Sequence, residues 1–196
     1  MNREEFLRDC WAYYKMLEDK FIHTLNYVAL SKDNELTFSN EYAGLIQLMG
    51  SELDSFFKIY CGFKQNERKK ISDYYAKATQ KFPNITTQVI KVPLAKMTVC
   101  PFDGWDKGKT AQSLEWWMAF DQIKHSRSGN SKAANQKNTL YCLAALFLLE
   151  MEYLHEITKT TGEPNMPDDE SSLFFLQDWD RNCVSFGRGA FGMLSN

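Results

Sequence analysis

The stretch LYCLAALFLLE, residues 140–150, decides the fold. Its apolar run from Leu140 to Leu149 is ten residues long, too short for a bilayer, which takes about 20, and it ends on the carboxylate of Glu150. On a helix these residues are apolar around the whole circumference, whereas a surface helix shows a single stripe. The helix predicted over 132–158 is therefore the central rod of a bundle. The neighbouring segments must supply the rods that cover it.

The first of these lies at the N-terminus. Phe6, Cys10, Tyr14, Leu17, Phe21, Leu25 and Val28 recur every three or four residues and predict one long helix, ending near 29–32 before the turn SKDNELT. Thr37 or Ser39 is placed to cap a second helix, with Glu41 early in it, where the helix dipole favours a carboxylate. Its stripe is Leu45, Leu48, Met49, Leu53, Phe56 and Tyr60. A third helix is predicted within NERKKISDYYAKATQKF, stopped by Pro83. ITTQVIKV (85–92) is rich in β-branched residues, and KMTVC follows across Pro93, so a small hairpin or an extended pair is expected. CPFDGWDKGKT reads as loop, and the helical period returns in SLEWWMAFDQIKHSR.

The expected fold class is mainly α: one domain over 1–196, with a bundle of about five helices over 3–160. An extended insertion is expected over 84–104, and an acidic loop and C-terminal tail over 161–196. Phe174, Phe175, Leu176 and Trp179 should fold that tail back onto the bundle.

Composition narrows the function classes. The net charge of −2 gives no global basic excess, so any nucleic-acid role rests on a local patch. The five cysteines, an odd number without a CxxC pair, fit neither a disulfide framework nor a zinc site, and reduced thiols in a cytoplasmic protein are expected. MNREEFLRDCWAYYK places charges where a secretion signal needs an apolar run. No HExxH, Walker-type or dinucleotide-binding pattern is present, and SFGRGAFG neither follows a clear strand nor opens a helix. No metal, cofactor or membrane partner is expected.

Chemistry concentrates in AFDQIKHSRSGNSK, residues 119–132. At about 100° per residue, Trp116, Phe120, Ile123 and Arg127 share one sector, expected to be the core stripe. Asp121 and His125 lie one turn apart on another face. A carboxylate there can hold one imidazole nitrogen, as the orienting acid of a general base does, or it can form an ordinary surface pair. Lys124, His125, Arg127, Lys132 and Lys137 form a basic patch interleaved with Ser126, Ser128, Asn130 and Ser131, just before a helix N-terminus. Such a patch can hold phosphate through side chains and free N–H groups. The same residues also satisfy a helix C-terminus and a turn, and both readings stand. Glu52 falls within the apolar stripe of the second helix and needs a cation, for which Lys124, His125 and Arg127 are the candidates. That acid either sets up the basic loop or simply fixes helix register. His23 and His155 are expected at the surface without partners.

SLEWWMAFDQIKHSR followed by AANQKNTLYCLAALFLLEMEYL resembles HEPN-type helical domains, in particular bacterial proteins with a WW-x-A-Y-N-x-x-K-H-x-R segment. TLNYVALSKDNELTFSNEYAGLIQLMGSELDSFFKIYC resembles the same group, so the likeness covers most of 5–155. It implies a bundle that often dimerises and, in many members, metal-independent ribonuclease activity in toxin–antitoxin and phage-defence systems. By that likeness His125 is the acid/base group, Asp121 its orienting residue and Arg127 a catalytic cation. Lys124, Arg127, Ser128, Asn130 and Lys132 are the phosphate or RNA contacts. The chain departs from the pattern where the enzymes carry an arginine several residues before the histidine: Phe120, Ala119 and Met118 stand there. The alternative expectation is a non-catalytic dimerisation or partner-binding module.

Overall fold

A computed structural model describes residues 1–108, 113–176 and 179, and within them the chain is a helical bundle with one two-stranded sheet. Asn2 opens the first rod with a reciprocal cap, in which its side chain accepts the Glu5 N–H and the Glu5 carboxylate accepts the Asn2 N–H. The rod runs as α1 (Arg3–Phe6), a π-helical turn (Leu7–Trp11) and α2 (Ala12–Thr24), right-handed throughout. It is shorter than the apolar spacing predicts. Beyond Thr24 the chain descends through single turns to Val28, where the Gln136 side-chain amide takes the Val28 and Ala29 carbonyls at 3.3 and 3.2 Å. That tertiary partner captures carbonyls a longer helix would have used in its own ladder.

Ser39, rather than Thr37, caps α3 (Asn40–Cys61) by accepting the Tyr42 N–H at 3.0 Å, and Gly62 ends it in the left-handed conformation. α4 (Ile71–Lys81) stops just before Pro83, as expected. β1 (Ile90–Val92) and β2 (Met97–Val99) pair antiparallel, with Ile90 opposite Val99. Residues 85–87 are turn and 88–89 irregular rather than strand. α5 (Glu115–His125) and α6 (Gln136–Thr158) follow, α6 beginning at the Asn135 cap, later than the predicted 132. As its sequence requires, α6 is the central rod, buried on all sides from Cys142 to Met151. Among the described residues no helix is long and apolar enough to cross a membrane.

The stripe of α3 is rotated relative to its predicted position. Ala43, Ile46, Gly50 and Phe57 complete the buried arc together with Leu45, Met49, Leu53 and Phe56. At about 100° per residue this moves Leu48 and Glu52 to the arc's edge, and Leu48 is 42% exposed.

After α6 the chain returns as a strap along the first rod. Arg3 donates to the Pro164 and Met166 carbonyls, both at 2.9 Å, and pairs with Asp168 at 3.0 Å. The Trp11 indole donates to the Asp169 carbonyl at 2.8 Å. Glu18, fully buried on α2, accepts from Tyr14 (2.8 Å), Lys15 (2.9 Å), the Ser172 and Leu173 N–H groups (3.0 and 3.1 Å) and the Ser171 hydroxyl. Burial alone would raise its pKa, but these donors hold it below the usual carboxylate range. Phe174 and Leu176 are buried, whereas Phe175 stays partly exposed and pairs its backbone with Lys91 beside β1. Trp179 packs against the ring of His155, which also contacts Asn165, so His155 is not the partnerless surface residue expected. SFGRGAFG and Cys183 lie outside the described residues.

Candidate functional site

The site is organised by the crossing of α5 over α3. Trp116, Ala119, Phe120 and Ile123 bury one face of α5, and Phe120 lies directly over Gly50. A Cβ at position 50 would fall inside that ring, so only glycine allows the approach. The Gln47 side chain donates to the Ile123 carbonyl at 3.4 Å on the same seam. With this face locked, the next flank of α5, bearing Trp117, Asp121 and Lys124, lines a cleft of about 800 Å³.

The opposite walls are the C-terminal half of α3 and the loop leading to α4. Gln65 folds that loop back onto α3: its amide donates to the Ser55 carbonyl and its oxygen accepts the Ser55 hydroxyl, each at 3.2 Å. Lys58 adds a bond to the Gln65 carbonyl at 3.3 Å and pairs with Asp54 at 3.1 Å. Lys69 is likewise engaged, pairing with Glu67 at 2.8 Å while its ammonium lies 4.2 Å from the centre of the Phe63 ring. The remaining cations are different. Arg68, Lys70 and Lys124 line the cleft with exposed side chains and no carboxylate partner among the described residues, although the Lys124 ammonium also lies 5.3 Å from the centre of the Phe120 ring. Trp117, half-buried, lines the same cleft, its ring edge-on to Phe120 at 5.5 Å. The cleft therefore offers unpaired positive charge around an aromatic floor, the combination that binds phosphates joined to planar bases.

The structure divides the residues expected to form the site. Asp121 and Lys124 line the cleft. His125 reaches Asp121 at 3.4 Å, with the two side chains 73% and 65% exposed, which makes a loose solvent-facing pair at the cleft's edge. Arg127 is not on a core stripe, because α5 ends at His125; its guanidinium donates to the Asn40 side chain at 2.8 Å. Asn130 caps α5 by donating to the Gln122 and Ser126 carbonyls at 3.2 and 2.9 Å, a structural task. Ser128 and Lys132 are exposed beyond it, and Lys137 pairs with Glu115 at 2.6 Å.

The expected phosphate cradle before α6 is already filled. Its N–H groups go to the Asn135 side chain (from Asn138, 2.9 Å) and to the Thr37 and Glu35 carbonyls (from Gln136 and Lys137, 2.9 and 3.0 Å). Glu52 does not meet the basic cluster either. It lies about 160° around α3 from Gly50, the residue that faces α5, and looks instead toward Cys10 and Glu150.

The residues that sequence reasoning passed over are Arg68, Lys70 and Trp117. A signal existed in KQNERKK (64–70), four cations in seven positions, and in the second tryptophan of WW. Among the described residues no three His, Cys, Asp or Glu side chains gather as metal ligands. Compared with known proteins, the chain matches no protein-family model, no curated protein and no solved structure.

Proposed function

We propose that this protein is a HEPN-like, RNA-binding helical module of a bacterial toxin or phage-defence system, and that the cleft between α3, α5 and the 63–70 loop is its contact surface. The observation that carries the reading is that three cations without a carboxylate partner among the described residues, Arg68, Lys70 and Lys124, line the same cleft as the half-buried Trp117. The cations take phosphates and the indole takes a base by stacking, contacts that bind RNA with little regard to sequence. A labelled oligoribonucleotide followed by fluorescence anisotropy tests this. Arg68→Ala and Lys124→Ala should each weaken binding several-fold, and wild-type affinity in both variants would remove the proposal.

A second reading is favoured by one distance. Asp121 both lines the cleft and reaches His125 at 3.4 Å, so RNA held there would pass beside the His125 imidazole. Arg127, held by Asn40, is not drawn to that pair, and Lys124 is the nearest cation in sequence to stabilise a developing phosphorane charge. Incubation with total RNA without added metal, beside His125→Ala, separates binding from cleavage: degradation by both proteins alike would rule out a catalytic His125.

A further inference from the structure

Glu150 is the anomaly of the bundle interior. It is 0% exposed on α6, and neither of its carboxylate oxygens has a hydrogen-bond partner. Three groups act on it or feel it from the surrounding elements: Glu52, half-buried on α3; Cys10, buried in the π-helical turn; and the Tyr14 phenol of α2, whose hydroxyl is committed to Glu18 and Ser171. Asp9 and Tyr153 also act on or feel Cys10, whose thiol lies 3.9 Å from the Met1 sulfur. The titratable groups among these are all acids. No lysine, arginine or histidine among the described residues offsets Glu150, Glu52 or Cys10.

The position tolerates a neutral carboxyl and penalises a carboxylate heavily, since a buried charge without a partner has lost its hydration and gained nothing. Burial, reinforced by Glu52, pushes the Glu150 carboxyl well above its usual range. Burial also raises Glu52, and burial with both carboxylates lifts the Cys10 thiol to about 12. The element on top of this cluster is the π-helical turn Leu7–Trp11, a local departure from the α-helical ladder of the kind found at functional sites.

We propose that Glu150 and Glu52 form a one-proton latch: with Glu150 neutral, the segment Arg3–Trp11 stays seated on α3 and α6, and loss of the proton to water lifts that segment at its π-helical turn. Opening hydrates the new carboxylate and exposes Cys10. The latch is independent of the RNA reading, because no residue of the cleft takes part.

Cys10 is a built-in reporter. Iodoacetamide alkylates the thiolate, and mass spectrometry of the full-length protein reads each cysteine separately. In wild type, Cys10 alkylation should climb with pH more steeply than the roughly tenfold per unit that thiolate formation alone gives. Glu150→Gln should return it to that slope, lowering alkylation at the alkaline end by about tenfold or more if the latch spans one unit. Glu52→Gln should move the steep rise to lower pH, because Glu150 ionises more easily without a neighbouring carboxylate. Cys142, fully buried elsewhere on α6, reports global unfolding and should stay protected. Identical wild-type and Glu150→Gln profiles overturn the latch, as does Cys142 rising in step with Cys10. Should Glu150→Gln fail to fold, the Glu52→Gln profile decides, and an unshifted rise overturns the proposal.

Discussion

The strap seam and the cleft both bring charged side chains together, and they use them in opposite ways. Along the strap every charge is consumed: Arg3 holds two carbonyls and Asp168, Lys15 meets Glu18, and Glu18 accepts from five groups. In the cleft, Lys58 and Lys69 are consumed in the same manner, while Arg68, Lys70 and Lys124 remain unpaired around Trp117. The difference separates charge that builds the fold from charge left without a carboxylate partner. Basic residues alone do not mark a site, and what their neighbours have already claimed decides it.

The largest effect should come from the strap. Glu18→Ala leaves Lys15, two N–H groups and two hydroxyls without their acceptor and should cost about 3–5 kcal/mol. That corresponds to roughly 6–20 °C in melting temperature by calorimetry. RNA affinity of the folded fraction should not change; a proportionate loss of binding would erase the contrast between the two regions. The same carboxylate sets a pH dependence. Its folded pKa is depressed, so its contribution is fully present above the unfolded value of about 4.3 and is lost as pH falls through the folded value. Denaturant midpoints in acid should therefore decline less steeply in Glu18→Gln than in wild type.

An intermediate effect belongs to the seam that carries the cleft. Gly50→Ala drives a methyl into Phe120 and should cost about 1–3 kcal/mol by overpacking. Because that seam sets the position of α5 against α3, RNA affinity should fall with stability, which binding measured well below the melting point would show. Glu18→Ala and Gly50→Ala thus predict opposite couplings.

The smallest effects on stability belong to the exposed edge. His125→Ala breaks a 3.4 Å pair between solvent-facing groups and should change stability by only a few tenths of a kcal/mol. A melting temperature lowered by several degrees would mean that His125 carries structural load absent from the present geometry.

Much of the fold was legible in the sequence because it rests on local periodicity. The all-round apolarity of 140–149 marks the central helix, and Pro83 and Ser39 mark a stop and a start. The site was legible only in part. Asp121 and Lys124, named from the sequence, line the cleft because they sit one turn from core residues on a recognisable helix. The role of the 64–70 cations depends on Gln65 gripping Ser55, a contact between a loop and a helix that no spacing rule encodes. The α6 amides looked available to phosphate until the Glu35 and Thr37 carbonyls arrived from another part of the chain. Spacing that includes Leu48 turns the α3 stripe toward Glu52, whereas the buried arc runs through Ala43, Ile46, Gly50 and Phe57 and leaves Glu52 at its edge.

The most direct test of the proposed RNA-binding role of the cleft is the salt dependence of oligoribonucleotide affinity in wild type and in Arg68→Ala/Lys70→Ala/Lys124→Ala. Each lost phosphate contact should reduce the slope of log K against log salt by about 0.7, so three should reduce it by about 2, with stability changed by less than about 0.5 kcal/mol. An unchanged slope in a folded triple variant would contradict the assignment of the cleft as the RNA surface.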